Sequence, residues 1–527
     1  MKKTAVQLLC AVAICILSIP LLASTAPAND LWGLARANAS VHRFSTLFTA
    51  HDVQRYLSEE QGLQDAIGWC KRTGVTKVYV EAFRDGYQAE RATQERARDK
   101  FREAGLQVSG CVTTTRVGKP STGWKEVACC YTDPATQDKL QAIFEYVASV
   151  FDEIMIDDFW FTDCACPDCE AARRARTVRI GNASYPVADD TWEGYRCELM
   201  VRLSRDRILA PAKRVNPRAK LIIKYPQWYD HFHERGYEIV RETKDFDWIW
   251  VGTETRDYGD RQWGGTPQYE GYFIMRWLGG LGGEKCGGGW FDSLGTTERT
   301  YVEQARQTVL GGARESMLFA YGGLQRPGAA RDVEALRANI PELLEVAKHV
   351  RAKRVVGLAA YKPPNSHAEK EARVFDFVGM MGLPLVPCHE FPTNAPAAFF
   401  SVHSLKDSDF AAKLSAYIRR GRPVLITDGL VQALNGQCKL EARNVQVLPV
   451  KQEPKSLLGF DQQKLDALRA PLLRPFKCSL EAPNRVACYL FADGSWVVEN
   501  FNEEPVQVRI NHKTLSVAGR EWTLNWK

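Results

Sequence analysis

Glu153-Ile-Met-Ile-Asp-Asp-Phe-Trp-Phe-Thr-Asp-Cys-Ala-Cys-Pro-Asp-Cys169 decides how the rest of this chain is read. Its first half is a short apolar run that ends in two adjacent carboxylates, Asp157 and Asp158. Its second half gathers Cys164, Cys166 and Cys169 into one loop. A buried strand that delivers acids to its C-terminal end is the pattern of a barrel whose catalytic face lies there. Three thiols so close together point to a metal or disulfide clamp beside that face.

Outward from this stretch, short β-rich runs alternate with helical periods from about residue 40 to about residue 325. The expected strands are 42–48, 77–83, 107–114, 153–159, 220–225, 247–253, 288–292 and 316–321. Helices are expected over 137–151, 193–212, 234–242 and 297–310. Eight strands alternating with helices predict a parallel sheet closed as a (β/α)8 TIM barrel. A doubly wound open sheet is the competing topology, but it rarely carries polar and aromatic residues at the end of every strand. A helix over 332–350 comes next. Beyond it, strands at 355–361, 397–402 and 423–427 and helices at 369–381 and 407–420 predict a flavodoxin-like α/β domain. The last stretch alternates around Asp493-Gly494 and Asn502-Glu503 and predicts a small C-terminal β-sandwich. The expected domains are therefore 27–350, 351–443 and 444–527.

The N-terminal stretch reads differently. Lys2-Lys3, an apolar run from Ala5 to Leu22 and small residues at 23–26 have the layout of a secretory signal over residues 1–26. An uncleaved anchor is the alternative, and Pro20 and the small residues favour cleavage. The expected location is secreted or periplasmic, with no membrane contact after cleavage. Of 15 cysteines, Cys10 and Cys15 fall in that segment, which leaves an odd number in an oxidising compartment. A formal charge of +6 on 527 residues, with cations and anions interspersed, excludes a nucleic-acid-binding surface.

The strand ends supply the chemistry. Glu81 and Arg84 follow strand two; Asp157 and Asp158 follow strand four; Lys224, Tyr225 and Trp228 follow strand five. Glu254 and Arg256 follow strand six, Trp290 and Asp292 strand seven, and Tyr321 strand eight. Converging acids and aromatics suit a sugar better than a phosphate. Glycoside cleavage takes two carboxyl groups, one to protonate the leaving oxygen and one to act as nucleophile or base. Asp158 is the expected nucleophile or base and Glu254 the general acid. Asp157 would orient its neighbour, and Asp292 is held in reserve. Glu81, Lys224, Tyr225, Trp228, Arg256, Trp290 and Tyr321 are expected to bind substrate. Each acid alone could instead support a barrel loop. No cofactor is expected for catalysis. The glycine run 279–289 reads as a flexible loop or tight barrel turn, and His231 and His233 as loop residues without metal-ligand spacing.

The cysteines form Cys164-x-Cys166-x-x-Cys169, preceded by the pair Cys129-Cys130. Four thiolates close a tetrahedral zinc site with no open position, which makes it structural; a disulfide between the two loops is the alternative. Either Cys129 or Cys130 can be the fourth sulfur.

Acids, thiols and domain order together resemble family 42 glycoside hydrolases, the β-galactosidase-like group, over nearly all of the chain after residue 26. That resemblance implies a barrel, a flavodoxin-like trimerisation domain and a small β domain, hence a homo-oligomer. It also implies a four-cysteine zinc site, here Cys129 or Cys130 with Cys164, Cys166 and Cys169. The chain departs from that pattern at the chemistry. Where the family ends strand four in Asn-Glu, its acid/base, this chain has Asp157-Asp158, and where the family has a Glu nucleophile on strand seven, this chain has Asp292. An Asp after strand four with an acid after strand six is similar to α-galactosidase-like barrels, whose strand-four Asp is the nucleophile. The expected activity is hydrolysis of an oligo- or polysaccharide, with a non-catalytic carbohydrate-binding scaffold as the alternative. A metal-dependent hydrolase is disfavoured, because an all-thiol cluster has no open catalytic position.

Overall fold

A computed structural model describes residues 28–527 apart from Gly264, so the expected signal segment lies outside the described residues. Eight parallel strands close on themselves: β1 (Arg43–Phe48), β2 (Val75–Arg84), β3 (Gln107–Val112), β4 (Glu153–Ile156), β5 (Lys220–Tyr225), β6 (Trp248–Gly252), β7 (Cys286–Asp292) and β8 (Glu315–Phe319). The seam is sealed by β1, which pairs Arg43 with Glu315 on one side and Leu47 with Tyr79 on the other. Inward positions stack into a packed interior of Leu47, Tyr79, Cys111, Met155, Ile222, Trp250, Trp290 and Met317, and outward positions pack on the helices. The barrel is therefore filled rather than hollow, and chemistry is confined to its rim.

The structure corrects the expectation for the glycine run. Part of the glycine run is strand β7 itself, because a Cβ on Gly287 or Gly288 would meet the Trp250 ring at 2.3 and 2.4 Å. The glycines make room for an indole inside the barrel. Trp250 is part of that interior, and Trp248 packs against it.

Beyond the linking helix Pro327–Ala352, five parallel strands form a second sheet: β9 (Leu358–Tyr361), β10 (Leu385–Cys388), β11 (Ala398–Phe400), β12 (Val424–Thr427) and β13 (Val445–Leu448). Their spatial order, β10-β9-β11-β12-β13, is that of a flavodoxin-like sheet. Because β13 pairs with β12, this sheet runs past residue 443, and a helix Gln462–Leu473 comes after it. The strands C-terminal to this sheet form a four-stranded and a three-stranded antiparallel sheet, and Val355–Val356 joins the former.

Candidate active site

The fourth strand stops at Ile156, and beyond it the side chains depart from strict alternation. Met155 and Asp157 point into the barrel; at Asp158 the chain turns, so the second carboxylate also reaches the rim. Across the barrel Lys224 is the inward residue near the end of β5, and Glu254 stands two residues beyond β6. The Lys224 Nζ lies 2.6 Å from Asp158 Oδ2 and 2.6 Å from Glu254 Oε1. These two carboxylate oxygens are thus at most twice that distance apart. Gly252 leaves space for the arrangement, since a Cβ there would stand 2.5 Å from Glu254 Oε2. Beneath the ammonium, the Trp290 ring centroid is 4.3 Å away, and Trp290 in turn stacks on Phe319.

Hydrogen bonds separate the acids. Asp157 accepts from Arg84 and Thr113 on Oδ2 and from the Asp158 amide on Oδ1. Glu81 accepts from the Ala50 amide, from Arg84 twice and from Thr113. Asp292 is held on both oxygens by Arg256, at 3.1 and 2.7 Å. Asp158 and Glu254 are held differently, by Lys224 alone: Asp158 commits Oδ2 to it and stands partly exposed at the rim, and Glu254 commits Oε1, its Oε2 buried with no hydrogen-bond partner among the described residues. Asp157 and Asp292, expected among the catalytic acids, are instead braced by arginines.

Charge states reflect these surroundings. Burial, with Asp157 and Glu254 facing it, pushes the Asp158 carboxyl up to about 8 against the pull of Lys224. Burial also raises Glu254, again opposed by Lys224. For Asp157 burial is more than offset by Arg84 and Lys224, and it sits below the usual carboxylate range. One lysine is thus shared by two acids of raised proton affinity, beside a third that stays ionised.

The expected binding residues divide. Glu81, Lys224, Arg256 and Trp290 join the cluster, Glu81 and Trp290 as buried supports. Trp228 is half-buried at the rim, with Arg235 over its ring at 4.8 Å and Tyr237 beside it. Tyr225 is a correction: with Lys224 inward its neighbour must face outward, and its ring is buried against Phe232 and Tyr237 in the helix layer. Tyr321 is another. The chain turns helical after β8, and this ring stacks on Phe48 and packs on Tyr56 and Trp69, away from the acids. Two rim residues escape the sequence reading. Thr113 bridges Glu81 and Asp157, and Tyr237 donates at 2.5 Å to the Asp158 carbonyl. The polar run Thr113-Thr-Thr at the end of β3 is the signal that could have found the first; none marks the second. Trp124 and Trp263 are exposed, Trp263 under the Arg256 guanidinium at 5.6 Å.

Beside this rim the sulfurs of Cys130, Cys166 and Cys169 stand 3.6–3.7 Å apart, and Cys164 completes the group. That is no disulfide distance; it is close to the edge, about 3.8 Å, of a tetrahedron with metal–sulfur arms of about 2.3 Å. Cys129 is not the fourth sulfur: its side chain turns toward the Thr114 carbonyl. A cavity of about 520 Å³ near the opposite end of the barrel, bordered by Arg276, Arg314, Arg351 and Arg354, includes none of the clustered acids.

Residues 32–350 match the family model described as "Probable glycosyl hydrolase, catalytic domain". An uncharacterized protein of Saccharolobus solfataricus, SSO3021, is 28% identical over 360 residues, which cover 63% of this chain; the chain spans about 57% of that relative's length. Among solved structures, Gan42B, a GH42 β-galactosidase from G. stearothermophilus, superimposes with a TM-score of 0.59 at 10% identity, covering 92% of this chain and 98% of that one. α-L-fucosidase isoenzyme 2 from Paenibacillus thiaminolyticus gives 0.53 at 12% identity, covering 73% and 64%. At these identities the structural likeness is one of fold.

Proposed function

The chain belongs to the probable glycosyl hydrolase family, and from that premise we propose that it hydrolyses an oligo- or polysaccharide by double displacement between Glu254 and Asp158. The observation that carries this reading is the single Lys224 ammonium 2.6 Å from both carboxylates. Retaining glycosidases hold their two carboxyls about 5–5.5 Å apart, and inverting ones about 6.5–9.5 Å, with room for a water between. The short span across Lys224 favours retention.

The roles are the reverse of those expected from sequence. Asp158, raised to about 8 and the more exposed of the two, carries a proton at neutral pH and suits the general acid, then the base. Glu254, deeper in the barrel, suits the nucleophile, with Lys224 favouring its ionised form against burial. Arg84 and Thr113 fix Asp157, whose charge in turn raises the proton affinity of Asp158. Arg256 and the exposed Trp263 border the same rim and suit sugar hydroxyls and a ring face.

Reducing-end release across a glycan panel tests the activity. On a cleaved substrate kcat/KM should fall above about pH 8 as Asp158 loses its proton, and this limb should disappear in Asp158→Asn. The acidic limb, set by Glu254, should lie above the usual carboxylate range. Glycan binding without release would leave a carbohydrate-binding scaffold and remove the enzyme reading.

The four-sulfur cluster suits zinc, the metal that favours closed tetrahedral thiolate sites. It would tie the Cys130 loop to the loop beyond Asp158, and so steady the acid. Cys166→Ser should lose the zinc measured per chain and lower Tm; full metal retention in that variant would refute the ligand set. Secretion and homo-oligomerisation are proposed on the N-terminal sequence and the family 42 resemblance.

A further inference from the structure

Three residues far apart in sequence meet where the barrel touches the flavodoxin-like unit. Glu193 lies in the first turn of helix Trp192–Leu203, His233 opens a short helical turn after β5, and His367 lies in the loop after β9. His233 Nε2 is 3.3 Å from His367 Nδ1 and 3.9 Å from Glu193 Oε2, and His367 Nε2 is 3.2 Å from the same carboxylate. Taking one ligand atom from each residue, all three lie within 4.8 Å of one another. The four-cysteine cluster is separate and shares none of these residues.

We propose that Glu193, His233 and His367 bind a divalent transition metal, of which zinc is the simplest case, that clamps the flavodoxin-like unit onto the barrel. Arms of about 2.0–2.2 Å to nitrogen and carboxylate oxygen set neighbouring ligand atoms roughly 3 to 3.5 Å apart, so the 3.3 Å pair of His233 Nε2 and His367 Nδ1 already has the spacing, and the Glu193 carboxylate completes the set by leaving His367 Nε2 and closing its 3.9 Å separation from His233 Nε2. Imidazole and carboxylate together select zinc, nickel, copper or iron over calcium or magnesium. His233 is buried with its Nε2 turned toward His367, so this ring is fixed in place and the two exposed partners can adjust to it.

The approach of the three groups is built in. Asn365, two residues before His367, donates to Glu238 of the barrel at 2.8 Å, and the Arg373 amide donates to Asp230 at 2.8 Å. Asp230 also pairs with His403 of the second unit at 2.9 Å. These bonds hold the His367 loop against the barrel. Glu193 and His367 are about a third and nearly half exposed, so an ion can enter from solvent and water can fill the remaining positions. The site differs from the cysteine cluster in this openness and in having no sulfur.

Isothermal titration of zinc chloride into the full-length purified protein, after dialysis that leaves tightly held metal in place, tests the proposal. Wild type should take up one equivalent with a rise in Tm. His367→Ala, which alters an exposed side chain, should lose that equivalent and the Tm rise together. His231→Ala, which removes an exposed neighbouring imidazole outside the trio, should keep both. Absence of binding in wild type, or equal binding by His367→Ala, would overturn the site. Because His367 lies outside the carboxylate cluster, glycoside cleavage by either variant bears on the mechanism and not on this result.

Discussion

Glu254→Ala should lower kcat by at least about 10⁴-fold, the scale on which removing an enzymic nucleophile acts. Asp158→Ala should lose about 10²–10⁴-fold, the share of a general acid, and less on an aryl glycoside whose leaving group needs no proton. The contrast rests on geometry. Both residues reach the same lysine at 2.6 Å, yet Glu254 is buried at the floor with an unpartnered Oε2, and Asp158 stands higher on the rim. Similar losses on activated and unactivated substrates would argue against Asp158 as the proton donor.

Lys224→Met should give the second large effect. This buried ammonium opposes the burial and mutual repulsion of two carboxylates, and removing one partner of a buried ion pair costs about 3–5 kcal/mol. The pH dependence has a definite sign. Without the cation both carboxyls rise further above their unfolded values, and the folded state binds more protons than the unfolded one in the window between. Stability then falls as pH rises through it. The Tm deficit of Lys224→Met should therefore be larger at pH 8 than at pH 5, and the acidic limb of kcat/KM should move upward as Glu254 holds its proton. A deficit independent of pH would show that Lys224 does not couple to these acids.

The barrel is legible in the sequence because its strands are buried on both faces and most read as short apolar runs, several of them ending at acids or other polar residues. Asp158 and Glu254 are legible for the same reason. The misreadings are finer than a strand. Sequence places Tyr225 in the pocket beside Lys224, although a one-residue step along β5 turns it into the helix layer. The same reading carries Tyr321 to the rim, where the chain has already become helical. In the second sheet, β10 is hidden by Pro384 and Pro387, which suit an edge strand but break the pattern of an interior one. Glu193, His233 and His367 have no sequence spacing at all, because their meeting depends on how two units pack.

The ranking of the acids is equally out of reach of sequence. Asp157, Asp158, Glu254 and Asp292 are alike there; the arginines at positions 84 and 256 bind two of them and leave the others open. Such pairings cross between strands far apart in the chain. Only the closed register of the strands brings them together.

The most direct measurement is the configuration of the glycosyl azide formed when azide is added to Glu254→Ala and Asp158→Ala with an activated aryl glycoside, read by NMR. Both variants should be rescued, with inversion at the anomeric carbon for Glu254→Ala and retention for Asp158→Ala. The opposite pairing would exchange the two roles, and failure of azide to rescue either variant would contradict a double displacement across Lys224.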